Sequence, residues 1–585
     1  MMIFSGGAAQ HAKPQRSTTG VNLPSSRMAI VGAGLGLLFL LLLGRAFYLQ
    51  LVKQTFLQGQ GSARYSRTIV LEANRGMITD RNGQPLAIST PMQSIWASPA
   101  DMDTVSPADT AALARLLELP VAEVTRKLND KRREFLYLKR QINPDVADAV
   151  IKLGIPGIAK QQEYRRFYPA GDITAHVVGF TGVEGKGQEG LELAREKMLA
   201  GKIGRRHVIK DRRGHIIEDI AAIERPRDGR TLVLSIDHKI QYLAHRELKA
   251  AVETFKAKAG GIVVLDALTG EVLALANLPS FNPNNRQNLD PAMQRNRALT
   301  DLFEPGSTLK PFTVARALDG NIVRTDQIFN TETYAIGPAH IKDTHSYPQL
   351  AVWEIIQKSS NVGSSKIALM MPPQTLWQFF DDVGFGRAPQ TGFPGEASGR
   401  LRPYKSWRPI EQATMSYGHG ISLSLMQLAR AYTIFTNDGK ILPVSFTRQD
   451  QPMPGRQVIT PATAEKMRNM LLTVTQPGGT APKAQVLGFN VGGKTGTAHK
   501  QEGRGYAAHK YISSFVGFAP ATRPRLIVAV MIDEPQGQYY GGTVAGPVFS
   551  NVMAGSLRIL GVEPDAPTNN TLAPAHNAPE VREET

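Results

Sequence analysis

The sequence predicts an α+β (mixed) fold. Helices pack on an antiparallel sheet in the C-terminal half, a mixed α+β region precedes it, and a single transmembrane helix opens the chain. Three observations carry this. An uncharged apolar run lies near the start. Strand-like apolar runs cluster after residue 231. Helix signals with their caps fall between those strands. At 585 residues the chain exceeds what one compact core normally holds, so several domains are expected.

Residues 28–44 carry no charge. As a helix they span about 26 Å at about 1.5 Å per residue, a little short of a hydrocarbon core of about 30 Å. Residues 46–52 continue the apolar character past Arg45, whose long side chain can snorkel. Phe47 and Tyr48 suit an interfacial belt. Lys13, Arg16 and Arg27 lie upstream, and the first acidic residue is Glu72. Positive-inside logic therefore makes 1–27 a cytoplasmic tail, 28–50 the anchor, and the remainder periplasmic. Ala46-Phe47-Tyr48 is no small-residue cleavage site, so the anchor is expected to be retained.

The net charge of +17 suits anionic partners such as phospholipid headgroups or an acidic wall polymer. With the bulk exported, nucleic acid is not expected. The absence of cysteine excludes disulfides, thiol nucleophiles and thiolate metal sites.

Residues 55–230 read as a folded spacer. Asn82-Gly83 marks a tight turn after Arg75-Gly76-Met77-Ile78-Thr79-Asp80-Arg81. An amphipathic helix is expected over 107–119, with Ser106 capping and Pro107 in its first position. Arg165-Arg166-Phe167-Tyr168-Pro169 and Gly187-Gln188-Glu189-Gly190-Leu191-Glu192 follow without catalytic character. The second folded region is 231–564. Its signals are apolar runs at 261–266 and 271–276 joined by a hairpin at 267–270, and a helix from Ser307 to Gly320. Leu309, Phe312 and Leu318 fall on the inward face of that helix. Strands are expected at 488–498, 513–519 and 526–532. A Pro-, Asn- and acid-rich tail, 565–585, reads as unstructured.

Three motifs fall in order: Ser307-Thr308-Leu309-Lys310, Ser359-Ser360-Asn361 and Lys494-Thr495-Gly496-Thr497. S-x-x-K should arise by chance about twice in such a chain. Here it occurs once, and Lys-Thr-Gly occurs once. The S-x-N at Ser280-Phe281-Asn282 precedes Ser307 and sits in a Pro- and Asn-rich loop. Order and spacing carry the signal. Serine needs a base, and a lysine three residues on lies one helical turn away. Buried, its pKa can fall until the neutral amine accepts a proton. Ser359 suits a proton relay. Asn361 suits a partner for Lys310 or a substrate carbonyl. Lys494, Thr495 and Thr497 suit a terminal carboxylate, and Gly496 suits close backbone approach.

On these motifs, with Glu304-Pro305-Gly306, Val362-Gly363 and Tyr539-Tyr540-Gly541-Gly542, the chain closely resembles class B penicillin-binding proteins, the division-specific septal transpeptidases of Gram-negative bacteria. The resemblance runs from the anchor to about residue 560. It implies a penicillin-recognising serine transpeptidase domain behind a non-catalytic, dimerisation-like pedestal. It implies Ser307 as the nucleophile on D-Ala-D-Ala, Lys310 as general base, Ser359 as shuttle, and the N–H groups of Ser307 and Thr497 as oxyanion hole. It further implies a diaminopimelate acceptor, inhibition by β-lactams, no cofactor or metal, an inner-membrane location, and divisome partners including a SEDS-family glycan polymerase. One stretch departs from the family, Tyr417-Gly418-His419-Gly420-Ile421-Ser422-Leu423-Ser424. His419 and Ser424 are expected to line the cleft, and a histidine titrating near about pH 6.5 suggests a second-copy enzyme tuned to acidity. A non-catalytic scaffold or antibiotic-binding protein is the remaining alternative. A class A β-lactamase is disfavoured because no E-x-x-L-N motif follows.

Overall fold

The computed structural model describes residues 25–57, 66–210, 216–287, 289–502 and 505–567. The expected tails, 1–27 and 565–585, lie almost wholly outside them. Asp565, the first residue assigned to the C-terminal tail, is described. Its carboxylate accepts the Asn490 N–H at 2.7 Å and the Thr522 hydroxyl at 2.8 Å, so ordered structure runs past the expected boundary.

Two units emerge. The first is Met1–Val70 with Arg205–Glu224. Its described part holds the apolar helix Ser25–Phe47, continued by a π-turn over Tyr48–Val52. The span Ser26–Val52 is long and apolar enough to cross a membrane. A three-stranded sheet orders Ser66–Leu71, Gly204–Lys210 and Ile216–Glu224. The region expected as one pedestal, 55–230, is therefore divided between units.

The second unit, Leu71–Gly204 with Arg225–Thr585, holds the rest. The Asn82-Gly83 turn forms as expected: Gly83 has φ +85°, a left-handed conformation that suits glycine, and Asp80 accepts the N–H groups of Asn82 and Gln84 at 2.8 Å each. The expected helix appears as Pro107–Leu116, and the Ser106 hydroxyl caps the Asp109 N–H at 3.0 Å. The long strand Pro85–Ala97 pairs antiparallel with Ile158–Phe167 and Leu136–Ile142. Helices Pro107–Leu116, Val121–Leu128 and Pro144–Lys152 enclose a core of Ile95, Leu113, Leu117, Val124, Leu138 and Val150.

The two motifs that carried no catalytic character meet in a buried ion network. Glu192, fully buried, takes Arg75 Nε at 2.6 Å and Arg166 Nε at 2.7 Å, and Arg75 also reaches Glu196 at 2.8 Å. One carboxylate thus compensates two guanidiniums out of water.

The catalytic half is built on a five-stranded sheet in the order Val272–Leu278, Ala259–Asp266, Leu526–Asp533, Gly505–Ala519, Gly492–Glu502. Every pairing is antiparallel. The three strands at 259–266, 272–278 and 526–533 are buried along their whole length, which explains their continuous apolar runs. Helices His238–Thr254 and Gly546–Ile559 pack on this sheet, as does Leu425–Ala431. The last hairpin is longer than expected, and its first strand begins at 492 because Gly488 lies in a turn at φ +79°.

The expected helix from Ser307 begins as a 3-10 turn, Gly306–Leu309, and becomes an α-helix only over Lys310–Asp319. Pro311 has no N–H to close an α-turn onto the Ser307 carbonyl, so the Lys310 N–H takes it instead. Gly320 closes the helix at φ −81°, and the left-handed residue is Asn321 at φ +53°. Leu309, Phe312 and Leu318 are buried, but so is nearly every residue of this helix, which runs through the core.

Replacing Glu192 by alanine leaves two guanidiniums buried without their anion. The expected loss is about 3–5 kcal/mol, read as a lower denaturation midpoint for Glu192→Ala.

Candidate functional site

Ser307 sits in its 3-10 turn only 7% exposed, and Lys310 one turn on is 0% exposed. Lys310 Nζ donates to Ser307 Oγ at 2.8 Å, to Ser359 Oγ at 3.0 Å and to the Ser359 carbonyl. The first two motifs therefore converge on one buried amine. Ser359 caps helix Val352–Lys358 with φ +63°. That conformation costs a non-glycine residue about 1–2 kcal/mol, and it turns the residue's carbonyl and hydroxyl toward Lys310.

The third motif lies on the edge strand of the sheet, with Lys494 opposite Val516 and Thr497 opposite Ser513. Lys494 is fully buried, and its Nζ donates to Thr495 Oγ1 at 3.0 Å. Thr495 Oγ1 in turn pairs with Thr480 Oγ1 at 3.0 Å. Thr497 Oγ1 accepts the Gly541 N–H at 3.0 Å and keeps its own hydrogen to donate. Gly496 was expected to admit a substrate backbone. A Cβ there would lie 2.5 Å from Ser514 Oγ, 2.8 Å from the Pro305 carbonyl oxygen and 2.9 Å from Thr308. Its smallness is needed inside the protein, where the strand presses on the nucleophile turn. Gly541 is forced likewise, its missing Cβ meeting the Ser514 and Gly496 carbonyl oxygens at 2.4 and 2.5 Å.

Asn361 lies at the start of helix Asn361–Leu369, with its amide nitrogen 3.4 Å from the Lys342 carbonyl oxygen and its N–H on Asp343. Three supporting residues escaped the sequence reading: Asp343, Thr480 and Glu304. Glu304 accepts the Gly420 N–H at 2.8 Å, Gln501 Nε2 at 2.8 Å and the Tyr506 hydroxyl at 3.0 Å. It ties the 417–420 turn and the hairpin 492–519 to the nucleophile turn, and burial raises its pKa. Asp and Glu side chains in sequence gave no signal of this, because their partners lie 116 to 202 residues away.

His419 lies against Tyr417 and Tyr506, ring centroids 5.3 and 6.1 Å away. Burial, then the Lys310 charge, then His499, lower its pKa to about 4. The expectation that it titrates near pH 6.5 is corrected: desolvation and a neighbouring cation disfavour its protonated form. Ser424 is also corrected. It is fully buried and caps helix Leu425–Ala431 by accepting the Gln427 N–H at 3.2 Å, so it does not line the cleft.

Comparison with known proteins gives the following. The model of the penicillin binding protein transpeptidase domain matches residues 260–554, and that of the penicillin-binding protein dimerisation domain matches residues 70–234. The probable peptidoglycan D,D-transpeptidase PenA of Neisseria gonorrhoeae is 47% identical over 547 residues, covering 93% of this chain and 94% of its own. The peptidoglycan D,D-transpeptidase FtsI of Escherichia coli K12 is 42% identical over 567 residues, 96% of each chain. The apo transpeptidase domain of Burkholderia pseudomallei penicillin-binding protein 3 aligns with a TM-score of 0.53 at 50% identity, covering 57% of this chain and 98% of that one.

With a pKa near 4, His419 stays neutral through the mildly acidic range. The pH profile of penicillin acylation between about pH 5.5 and 7.5 should be the same for wild type and His419→Tyr. For stability the sign follows from the depressed pKa: between 6.5 and about 4 the unfolded histidine binds a proton that the folded one refuses. This residue's contribution is present above pH 6.5 and lost as pH falls toward 4. A midpoint for His419→Tyr that falls less than wild type's over that window is the expected result.

Proposed function

The chain belongs to the penicillin-binding protein transpeptidases, and on that premise we propose that it crosslinks peptidoglycan stem peptides through an acyl-enzyme on Ser307. The observation that carries this is the Lys310 amine bridging Ser307 Oγ and Ser359 Oγ at 2.8 and 3.0 Å in a buried setting. Ser307 Oγ attacks the carbonyl carbon of the penultimate D-Ala as its proton passes to Lys310 Nζ. The N–H groups of Ser307 and Thr497 hold the oxyanion. The C–N bond then breaks, and the departing D-Ala amine takes the proton through Lys310 and Ser359. The amine of a neighbouring stem peptide, of the diaminopimelate kind, next attacks the ester, returns its proton by the same route, and releases Ser307.

Lys494 supplies the positive potential that draws the donor's terminal carboxylate, and Thr495 and Thr497 supply hydroxyl donors for it. Asn361 positions the donor backbone, and Gly496 keeps the strand close enough for Thr497 to reach the oxyanion. His419, neutral and flanked by tyrosines, forms part of the wall that the stem peptide meets. β-Lactams acylate the same hydroxyl, and no cofactor enters any step.

The apolar span Ser26–Val52 supports a membrane-anchored enzyme. With Lys13, Arg16 and Arg27 before it, we place the N-terminus in the cytoplasm, the anchor in the inner membrane and the catalytic half in the periplasm, working at the septum. We assign 55–230 as pedestal and 231–564 as the transpeptidase region. Glycan polymerisation falls to a separate partner of the SEDS type within the division machinery.

Mass spectrometry of the protein after penicillin treatment tests the reading. One penicillin should add to the intact mass and map to Ser307. Ser307→Ala should add none, and Lys310→Ala should acylate at least about a hundredfold more slowly. Label on any other residue sinks the assignment.

A further inference from the structure

We infer that Asp343 is a positioning residue of the acylation step: it holds Ser359 in the left-handed backbone conformation from which the Ser359 carbonyl and hydroxyl reach Lys310. This rests on reading Ser307 as the nucleophile and Lys310 as its base.

Ser359 departs from ordinary backbone at φ +63°, where a helix would usually place glycine. Glycine would adopt the conformation freely, but it would offer no hydroxyl to Lys310. The chain therefore keeps a serine in an unfavourable conformation, and something nearby must hold it there. The next residues show what does. Asp343 accepts the Ser360 hydroxyl at 2.5 Å, the Asn361 N–H at 2.5 Å and the Val362 N–H at 3.0 Å. The Ser360 hydroxyl, thus oriented, accepts the Gly363 N–H at 2.8 Å. One carboxylate and the hydroxyl it fixes satisfy the three leading N–H groups of helix Asn361–Leu369. A negative charge there also meets the positive end of the helix.

The consequence reaches the chemistry by a short path. Fixing Ser360 and Asn361 leaves Ser359 no room to relax, because its other side is anchored by the end of helix Val352–Lys358. The Ser360 N–H still reaches back to the Ile355 carbonyl at 3.0 Å. Asp343 itself lies on the far side of this turn from the amine, 17 residues before Ser360. It acts through Ser359 and touches neither Ser307 nor substrate in the proposed reaction.

The test uses the full-length protein in detergent and a fluorescent penicillin, resolving the acylation rate constant from the apparent binding constant. Thermal midpoints are measured alongside. Asp343→Ala should slow the acylation step about tenfold or more, with the binding constant within about twofold. Asp343→Asn keeps one carbonyl oxygen for the Asn361 and Val362 N–H groups and should lose less, a graded rescue. Adding Ser360→Ala to Asp343→Ala should cost little more, since both act through one cap.

A wild-type acylation step in Asp343→Ala and Asp343→Asn, whatever their midpoints, assigns the cap a purely structural role and overturns the proposal. A loss confined to the binding constant overturns it too. Should Asp343→Ala fail to fold, Asp343→Asn decides: a several-fold slower step supports the proposal, and a wild-type step overturns it. Ser307→Ala runs as a control. Penicillin labelling of that variant defeats the reading of Ser307, independently of Asp343.

Discussion

The buried amine of Lys310 is the constraint around which the rest is arranged. A cation-forming group with no exposed surface costs several kcal/mol unless its hydrogens are taken. Among the described hydrogen bonds its acceptors are the Ser307 hydroxyl, the Ser359 hydroxyl and the Ser359 carbonyl. The requirement for reactivity and the requirement for satisfied burial coincide: the atoms that solvate the amine are those between which it must move a proton. Removing either serine hydroxyl therefore disturbs both at once.

Close approach between elements is the second requirement, and glycine meets it at two points. Gly496 lets the edge strand press on the Pro305–Thr308 turn, and Gly418, at φ +90°, lets the 417–420 turn press on Gly306, whose backbone atoms would lie 2.2 to 2.7 Å from a Cβ. The nucleophile is held between a strand and a turn with no side chain intervening. Glu304 then locks the same turn and the hairpin from below with three hydrogen bonds. The positions of Ser307, Thr497 and His419 follow from backbone packing more than from their own side chains.

What could be read from sequence was what is local. The S-x-x-K spacing is an i,i+3 relation, and the pair meets as that spacing requires. Hairpin 267–270, the Ser106 cap and the Asn82-Gly83 turn are equally local, and each forms. The convergence of three distant motifs came from their order and their likeness to a family, not from any period. The misses are nonlocal. Nothing near His419 in sequence shows that Lys310 and a buried wall depress its pKa. Asp343 looked like a loop aspartate until Ser360 and Asn361 folded onto it. Gly496 looked exposed to substrate because its neighbours, Pro305 and Thr308, lie nearly 190 residues earlier.

The boundary near residue 230 is a boundary in sequence more than in packing. Ile78, Leu86, Ala87 and Tyr168, all from the first half, belong to the same continuous core as the catalytic sheet. The polar contacts agree. Asp80 accepts the His238 N–H at 3.2 Å, Asn82 donates to Asp237 at 3.0 Å, and Asn284 exchanges two hydrogen bonds with the Tyr168 backbone at 3.0 and 2.9 Å. Asp237 is the residue that caps helix His238–Thr254, which packs on the catalytic sheet. The Ser280-Phe281-Asn282 loop, discounted as a catalytic motif, belongs to this seam, with Ser280 on the Asp172 carbonyl at 2.8 Å. By contrast, Ile95, Leu113, Val124 and Val150 form a separate core farther along the same long strand. Strand Pro85–Ala97 thus begins in the catalytic core and ends in another. A displacement of the outer core has a continuous, hydrogen-bonded route to the base of the catalytic sheet, whereas a hinge at residue 230 would have to break a packed interior.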